Sequence, residues 1–380
     1  MIEGLQPERL GTDLTRWTLG PFHGALPGAM RLSLQLDGEI VSHAEVESGF
    51  LHRGLEKALE LHRWHAAVTY ADHLDPEAAI HGELALCLAV ERLAGIQVPE
   101  RAQAIRVIVA ELSRVSSHFA YMARMARAVG ATTMMHYVLR DRERLLDLFE
   151  LLTGGRFSIN FLRFGGVSSD VTEGFVERVL EAREMIRIRL KEYNDLLSFN
   201  HAFLRRTRGI GVISREAALR HGATGPNLRA SGESFDLRKW APYSGYERID
   251  FDVPVVAEEG TEIPGDSHSR YLQRLREINQ CLEILKQVTE SMPQGPFEGP
   301  KVTPQFQVPM GEGYAAIEGA RGQVGCHVFS DGGNQPQRIS FRTPSTAHLR
   351  LVPEALRAQR VEDVPVILAS LDLCLAEVDR

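Results

Sequence analysis

The stretch PERAQAIRVIVAELSRVSSHFAYMARMARAVG, residues 99–130, places Ile105, Ile108, Leu112, Val115, Phe119 and Met122 at alternating steps of three and four. That spacing draws one apolar stripe along a helix and turns it toward a core. Pro99 stands at the start and Gly130 near the end, the usual asymmetry of helix punctuation. Around this helix, residues 46–200 read as a helical core, with further helices at about 133–153 and 171–199. In the first of these, Asp141, Arg142, Glu143 and Arg144 read as a solvated turn.

Upstream, residues 1–45 carry a hairpin signal. Leu32, Leu34 and Leu36 alternate with polar neighbours, and Asp37-Gly38 turns the chain into Glu39-Ile40-Val41. Downstream, residues 201–265 read as a loop-rich insertion in which Gly209, Gly211, Gly222, Gly225, Pro226, Gly232, Pro242 and Gly245 interrupt any long helix. Residues 266–380 resume with a helix at about 266–291 and a connector marked by Pro293, Pro296, Pro300, Pro304 and Pro309. Two strands follow, Tyr314 to Glu318 and Val324 to Phe329, then a buried helix at about 362–375 that is apolar nearly all round. The expectation is an α+β chain, mainly helical, forming one compact domain.

The chain has 380 residues, of which 44% are hydrophobic and 24% charged, so disorder, collagen and coiled coil are excluded. A net charge of −7 without a run of like charges argues against nucleic acid as a partner. No basic leader precedes an apolar stretch, and no eighteen apolar residues run together, so the chain is expected to have no transmembrane helix. Cys87, Cys281, Cys326 and Cys374 stand far apart and form no CxxC pair. His62, His65, His73 and His81 cluster in sequence, but no carboxylate or cysteine is spaced to complete a metal shell. No GxSxG, Walker A, HExxH or GxGxxG sequence occurs. Pattern alone gives a soluble α+β protein with no self-contained active site.

A series of collinear segments goes further. Glu47-Ser-Gly-Phe-Leu-His-Arg-Gly-Leu-Glu-Lys57 resembles the GYLHRGxEK signature of the 49 kDa (D) subunit of respiratory complex I, an NADH-quinone oxidoreductase. Similar family words continue at Ala89-Val-Glu-Arg-Leu-Ala-Gly95, Glu111-Leu-Ser-Arg114 with His118, Arg140-Asp-Arg-Glu143 and Arg163-Phe-Gly-Gly-Val167. They run on through Arg208-Gly-Ile-Gly-Val212, Pro242-Tyr-Ser-Gly-Tyr246, Arg342-Thr-Pro-Ser345 and Glu377-Val-Asp-Arg380, spanning nearly the whole chain.

The resemblance implies a fold like the nickel-iron hydrogenase large subunit, a helical core with small antiparallel sheets. Hydrogenase chemistry itself is not expected. That metal needs two pairs of cysteine thiolates, whereas the early region Asp72 to His81 holds none and the C-terminal segment keeps only Cys374, read as a relic lining the old cavity. In complex I the vacated cavity resembles part of a quinone chamber, completed by a partner that carries the terminal iron-sulfur cluster, with NADH bound elsewhere in the complex. The implied partners are that cluster-bearing protein, a C-like subunit of the same complex and membrane subunits. No cofactor is expected on this chain alone.

The sequence departs from the family at its donor positions. In Gly20-Pro-Phe-His-Gly-Ala-Leu-Pro-Gly28, the GPxHPxxHG loop keeps His23, but the headgroup histidine falls on Pro27. The family's tyrosine falls on Pro76, the aspartate backing the histidine on Ala128, and a histidine beside the cluster on Ser158. A HHFK-like segment is also missing between Ser291 and Gly313. Candidates to replace the donors are His23, His73 and Tyr70, each weighed against a loop or capping role. Arg53 matches an arginine near the partner's cluster, against a structural ion pair as the bland reading. Gly28, Gly165 and Gly166 are read as sites of tight backbone geometry, and Arg163 and Arg342 as fixing backbone carbonyls.

The expected function is therefore that of the 49 kDa component of a complex I-like assembly, peripheral on the cytoplasmic side of the inner (plasma) membrane. Its chamber would receive quinone, with electron transfer coupled to proton translocation. The alternative is a divergent scaffold paralogue that keeps subunit docking but has lost standard quinone chemistry.

Overall fold

In a computed structural model, the described residues are 8–10, 14–256, 265–299, 303 and 305–380. Residues 1–7 and 11–13 of the N-terminal stretch, 257–264 of the loop-rich stretch, and 300–302 and 304 of the connector, with its Pro300 and Pro304, lie outside them. Strands β1 (Glu8–Leu10), β2 (Leu14–Leu19), β3 (Arg31–Asp37) and β4 (Ile40–Glu47) form an antiparallel sheet in that order. The leucine alternation builds the β3–β4 hairpin, pairing Leu34 with Ala44 and Leu36 with Val41, with a register shift between Gln35 and Leu36. Leu32, Leu34 and Leu36 point into a smaller core shared with Ile213, Leu351 and Leu368. Strand β2 was not expected, because its first five residues are all half-buried and carry no inside–outside alternation.

The helical core follows: α1 (Leu55–Glu60), α2 (Trp64–Ala71), α3 (Ala79–Ala94), α4 (Glu100–Ala128) and α5 (Thr132–Thr153). The stripe predicted on α4 is there, but from Ile105 to Ala123 the helix is buried on every side, and Arg106, Glu111, Arg114 and His118 have no exposed surface. Ion pairs make this possible: Arg106 grips Glu91 through two hydrogen bonds of 2.6 and 3.0 Å. The turn expected to be solvated on α5 is so only in part. Glu143 and Arg144 are exposed, whereas Arg142 is buried against the Ser116 carbonyl and Asp141 against the Tyr193 hydroxyl.

A short ladder of β5 (Leu162–Arg163) and β6 (Gly166–Val167) precedes α6 (Phe175–Tyr193), which widens into a π turn at Asn194–Ser198. The glycine-rich stretch then holds four short helices: α7 (His201–Thr207), α8 (Arg215–Arg220), α9 (Gly225–Ala230) and α10 (Leu237–Trp240). Its glycines allow close approach as well as turns. Gly225 has φ of 67°, and a Cβ there would lie 2.4 Å from the Gly322 Cα.

Helix α11 (Ser267–Glu290) packs across α4. A second sheet, β7 (Gly311–Glu318), β8 (Gln323–Ser330) and β9 (Arg338–Arg342), lies on α3. The chain ends through α12 (Pro344–Leu349), α13 (Val352–Leu356), α14 (Val364–Leu371) and α15 (Leu375–Val378). The single C-terminal helix expected to reach residue 375 instead stops at Leu371, because Asp372 adopts a left-handed conformation, φ 56°.

Candidate functional site

A cavity of about 580 Å³ lies where three distant segments meet. The loop after β2 supplies His23 and Pro27, the end of α4 supplies Arg124, Arg127 and Ala128, and the turn after α14 supplies Asp372. Leu26, Leu368 and Leu373 give the remaining wall an apolar character. The loop is self-supporting: Leu26 N–H donates to the His23 carbonyl at 3.0 Å and Met30 N–H to the Pro21 carbonyl at 3.1 Å. Ala25 N–H donates to His23 Nδ1 at 3.2 Å, so the neutral imidazole carries its proton on Nε2, as a donor. The Arg127 side chain makes no hydrogen bond or ion pair with any described residue, so its positive charge stands unpaired among them at the cavity.

Beneath the cavity the protein is ionic. Asp372 is held by Arg124 at 2.5 Å and by Arg274 and Arg321 at 3.5 Å each. Burial alone would raise its pKa; the guanidinium groups of Arg321, Arg124 and Arg274 outweigh it and hold the carboxyl well below the usual range. Arg321 also donates to Asp75, and it shares Glu77 with Arg124, both at 2.5 Å. Glu377 accepts from Ser345 N–H at 2.9 Å. Burial, reinforced by the charge of Asp75, pushes Glu377 up to about 7.

The sequence candidates divide around this site. His23 lines the cavity; Arg53, Tyr70, His73, Gly28 and Cys374 do not. Arg53 is exposed and spans two carbonyls, Ala376 at 3.0 Å and His73 at 2.7 Å, so it makes no structural ion pair among the described residues. It ties the end of α2 to the C-terminal segment. His73 is exposed and its Nδ1 donates to the Thr69 carbonyl at 3.0 Å. Tyr70 donates to His62 Nε2 at 2.9 Å, since His62 Nδ1 is committed to the Ala58 carbonyl. Gly28 packs on α15, where an added Cβ would lie 3.2 Å from that of Leu375. Cys374 was expected to line the cavity, but the left-handed Asp372 breaks the helix just before it. Its backbone N–H bonds Ser345 Oγ at 3.0 Å, and burial, then the charge of Asp75, pushes its thiol up.

Arg163 and Arg342 fix backbone carbonyls, of Leu162 and Asn160 and of Gln323 and Gly222 respectively. Sequence reasoning missed Arg124, Arg127 and Asp372. Their one signal was Asp372 itself, a lone charge within an otherwise apolar segment. Among the described residues no group of histidines, cysteines and carboxylates is placed to hold a metal ion, and no helix is long and apolar enough to cross a membrane.

A helical core around a buried central helix, with small antiparallel sheets at its periphery, is the architecture that the resemblance implied, and a cleft lies beside its C-terminal turn. The family described as respiratory-chain NADH dehydrogenase, 49 kDa subunit, matches residues 128–380. The D subunit of the NADH-quinone oxidoreductase of Desulforamulus reducens is 42% identical over 361 residues, covering 95% of this chain and 97% of its own. That of Geobacillus kaustophilus is 40% identical over 371 residues, covering 97% and 99%. A chain in the structure of the membrane-bound sulfane sulfur reductase, an archaeal respiratory membrane complex, superimposes with a TM-score of 0.92. It is 36% identical, over 98% of this chain and 100% of that one. This chain belongs to the family of the 49 kDa, or D, subunits of NADH-quinone oxidoreductase.

Proposed function

We propose that this chain forms the acceptor chamber of a complex I-like oxidoreductase. A quinone would be reduced there with electrons from a partner's iron-sulfur cluster, NADH would bind elsewhere in the assembly, and the reaction would be coupled to proton translocation. This chain would sit peripherally on the cytoplasmic face of the membrane, against the membrane subunits of the assembly. One observation carries this reading: His23, Pro27, Ala128 and Asp372, from three segments far apart in sequence, border a single cavity. Pro27 and Ala128 are the positions at which the family resemblance puts the headgroup histidine and its aspartate. Once the acceptor and a partner subunit cover the cavity, Leu26, Leu368 and Leu373 would help exclude water and strengthen the charge interactions inside. His23 Nε2–H would donate to an acceptor oxygen, and the Arg127 guanidinium would stabilise negative charge that develops on reduction. Arg53, outside the cavity, would orient the segment that faces the partner's cluster.

The test is NADH-driven quinone reduction by the purified assembly. His23→Ala should lower turnover by on the order of 10²-fold. Parental rates in that variant would overturn the role of His23, and absent turnover in the parent would favour the scaffold reading.

A second reading is favoured by the loss of the histidine and its aspartate from the wall together with the unpaired Arg127 side chain: an anionic sulfur acceptor in place of quinone. The structural relative bears the name of a sulfane sulfur reductase. The same assembly assayed with tetrasulfide decides between the readings. Arg127→Ala should raise the KM for the anion about tenfold, a loss of ~1.4 kcal/mol, and leave any quinone KM unchanged.

A further inference from the structure

From the cavity, α4 runs back into the middle of the protein, and its inward face stays polar. Arg124, Tyr121, Ser117 with His118, and Arg114 follow one another at helical spacing, and the last four have no exposed surface. Helix α11 sets Arg274 and Glu277 against them. The Arg274 guanidinium lies 4.0 Å from the centre of the Tyr121 ring, and its Nε lies 3.5 Å from Asp372 at the cavity floor. Glu277 Oε2 stands 3.5 Å from His118 Nε2, too far for a good hydrogen bond. Along this seam the Tyr121 hydroxyl, Ser117 Oγ, both ring nitrogens of His118, Glu277 Oε2 and Arg274 Nε are buried without a hydrogen-bond partner in the described protein. His81, on α3, is in the same condition at both nitrogens. A buried polar atom left unpaired costs about 1–3 kcal/mol, and native interiors satisfy such groups with ordered water.

We infer that a file of water molecules fills the seam between α4 and α11 and carries protons from His118, past Tyr121, to the cavity floor at Asp372. The distance suits a few waters, since six residues of helix from His118 to Arg124 rise about 9 Å. Protons move by exchange: each water or imidazole accepts one proton on one side and releases one on the other, so the file ends unchanged. For each proton that the acceptor takes up as the partner's electrons reach it, one enters the far end of the file from solvent by way of His81, so the file gains and loses none.

His118 is faced by His81 from α3, Arg114 on its own helix, and Arg274 and Glu277 from α11. Burial and the two arginines lower its pKa while Glu277 opposes them, so the ring is neutral at rest and holds a proton only in passing. The inference rests on the acceptor-chamber reading, but its test does not depend on that reading alone.

The assembled complex is compared with Tyr121→Phe and His118→Gln in turnover against pH, in H2O and D2O, and by a map that resolves ordered water. Both variants should keep the acceptor KM and lose on the order of 10- to 100-fold in kcat. The solvent isotope effect should be larger and the pH profile displaced, with water density along Tyr121 and His118 in the parent. Parental kcat and pH profile in both variants, or a dry seam, would overturn the inference. Should His118→Gln fail to assemble, Tyr121→Phe, which removes one oxygen, decides. If the parent turns nothing over, the acceptor-chamber reading fails, and the water density alone still decides the inference.

Discussion

Arg124 donates to Asp372 across 2.5 Å, and that contact joins the last turns of α4 to the residue at which the C-terminal segment changes direction. Wall and floor of the cavity are thereby one unit. Arg124 also holds Glu77, which Arg321 holds from the other side, so an ionic lattice rather than apolar packing fixes the cavity's shape. Arg321 and Asp372 are buried, and charges this deep persist only because each is paired with more than one partner.

Asp372→Asn tests that lattice. Asparagine tolerates the left-handed backbone, so the substitution isolates the charge. Three guanidinium groups lose their shared anion, and unfolding by denaturant should show a loss of about 3–5 kcal/mol. The sign with pH follows from the lowered pKa of Asp372. Its contribution is fully present above the unfolded value of about 3.9 and is lost as pH falls through the folded value. The parent should therefore lose stability in acid more steeply than the variant.

Glu377 behaves in the opposite sense. Its folded pKa of about 7 lies above the ordinary 4.5, so between these values the folded chain holds a proton that the unfolded chain releases. Stability should fall as pH rises from 4.5 to about 7 and then level off, by roughly 3 kcal/mol at most. Glu377→Gln keeps an acceptor for Ser345 N–H and should abolish that slope in thermal unfolding at pH 5, 6, 7 and 8.

Arg53→Lys should behave like Arg53→Ala. The guanidinium reaches the carbonyls of Ala376 and His73 at once, and a single ammonium does not reproduce that fork. Each charged hydrogen bond contributes about 1.5–3 kcal/mol. Both variants should loosen the C-terminal segment, seen as faster amide exchange over 373–378, with a fall in turnover of the assembly. Rescue by lysine would show that charge rather than geometry matters.

Much of the architecture was legible because it rests on periodicity. The β3–β4 hairpin, α4, α11 and the β7–β8 pair lie where alternation or the three–four spacing puts them. The four short helices after residue 200 were not legible, since none is long enough to show a period, and two of them are held by distant partners: Arg229 binds Glu277 and Glu318, and Arg238 binds Glu111. The cavity was half legible. His23, Pro27 and Ala128 stood out against a family pattern, whereas Arg124 and Arg127 look like ordinary helix surface until the fold brings Asp372 and the loop onto them. Tyr70 and His73 were singled out as proton donors close in sequence to Pro76, and both are committed to local hydrogen bonds away from the cavity.

The double substitution Pro27→His with Ala128→Asp carries the strongest expectation for the site. Both positions line the same cavity, and together they would restore an imidazole backed by a carboxylate. The carboxylate orients the ring and favours its protonated form, so it should matter only when the histidine is present. Quinone reduction by the purified assembly should rise by on the order of 10²-fold in the double variant. It should rise less in Pro27→His and not at all in Ala128→Asp. Tetrasulfide reduction, if the parent supports it, should fall, because the new carboxylate stands on the same helix face as Arg124 and next to Arg127 in sequence and repels an anion. A double variant with the parental preference between the two acceptors would mean that the reacting group lies elsewhere.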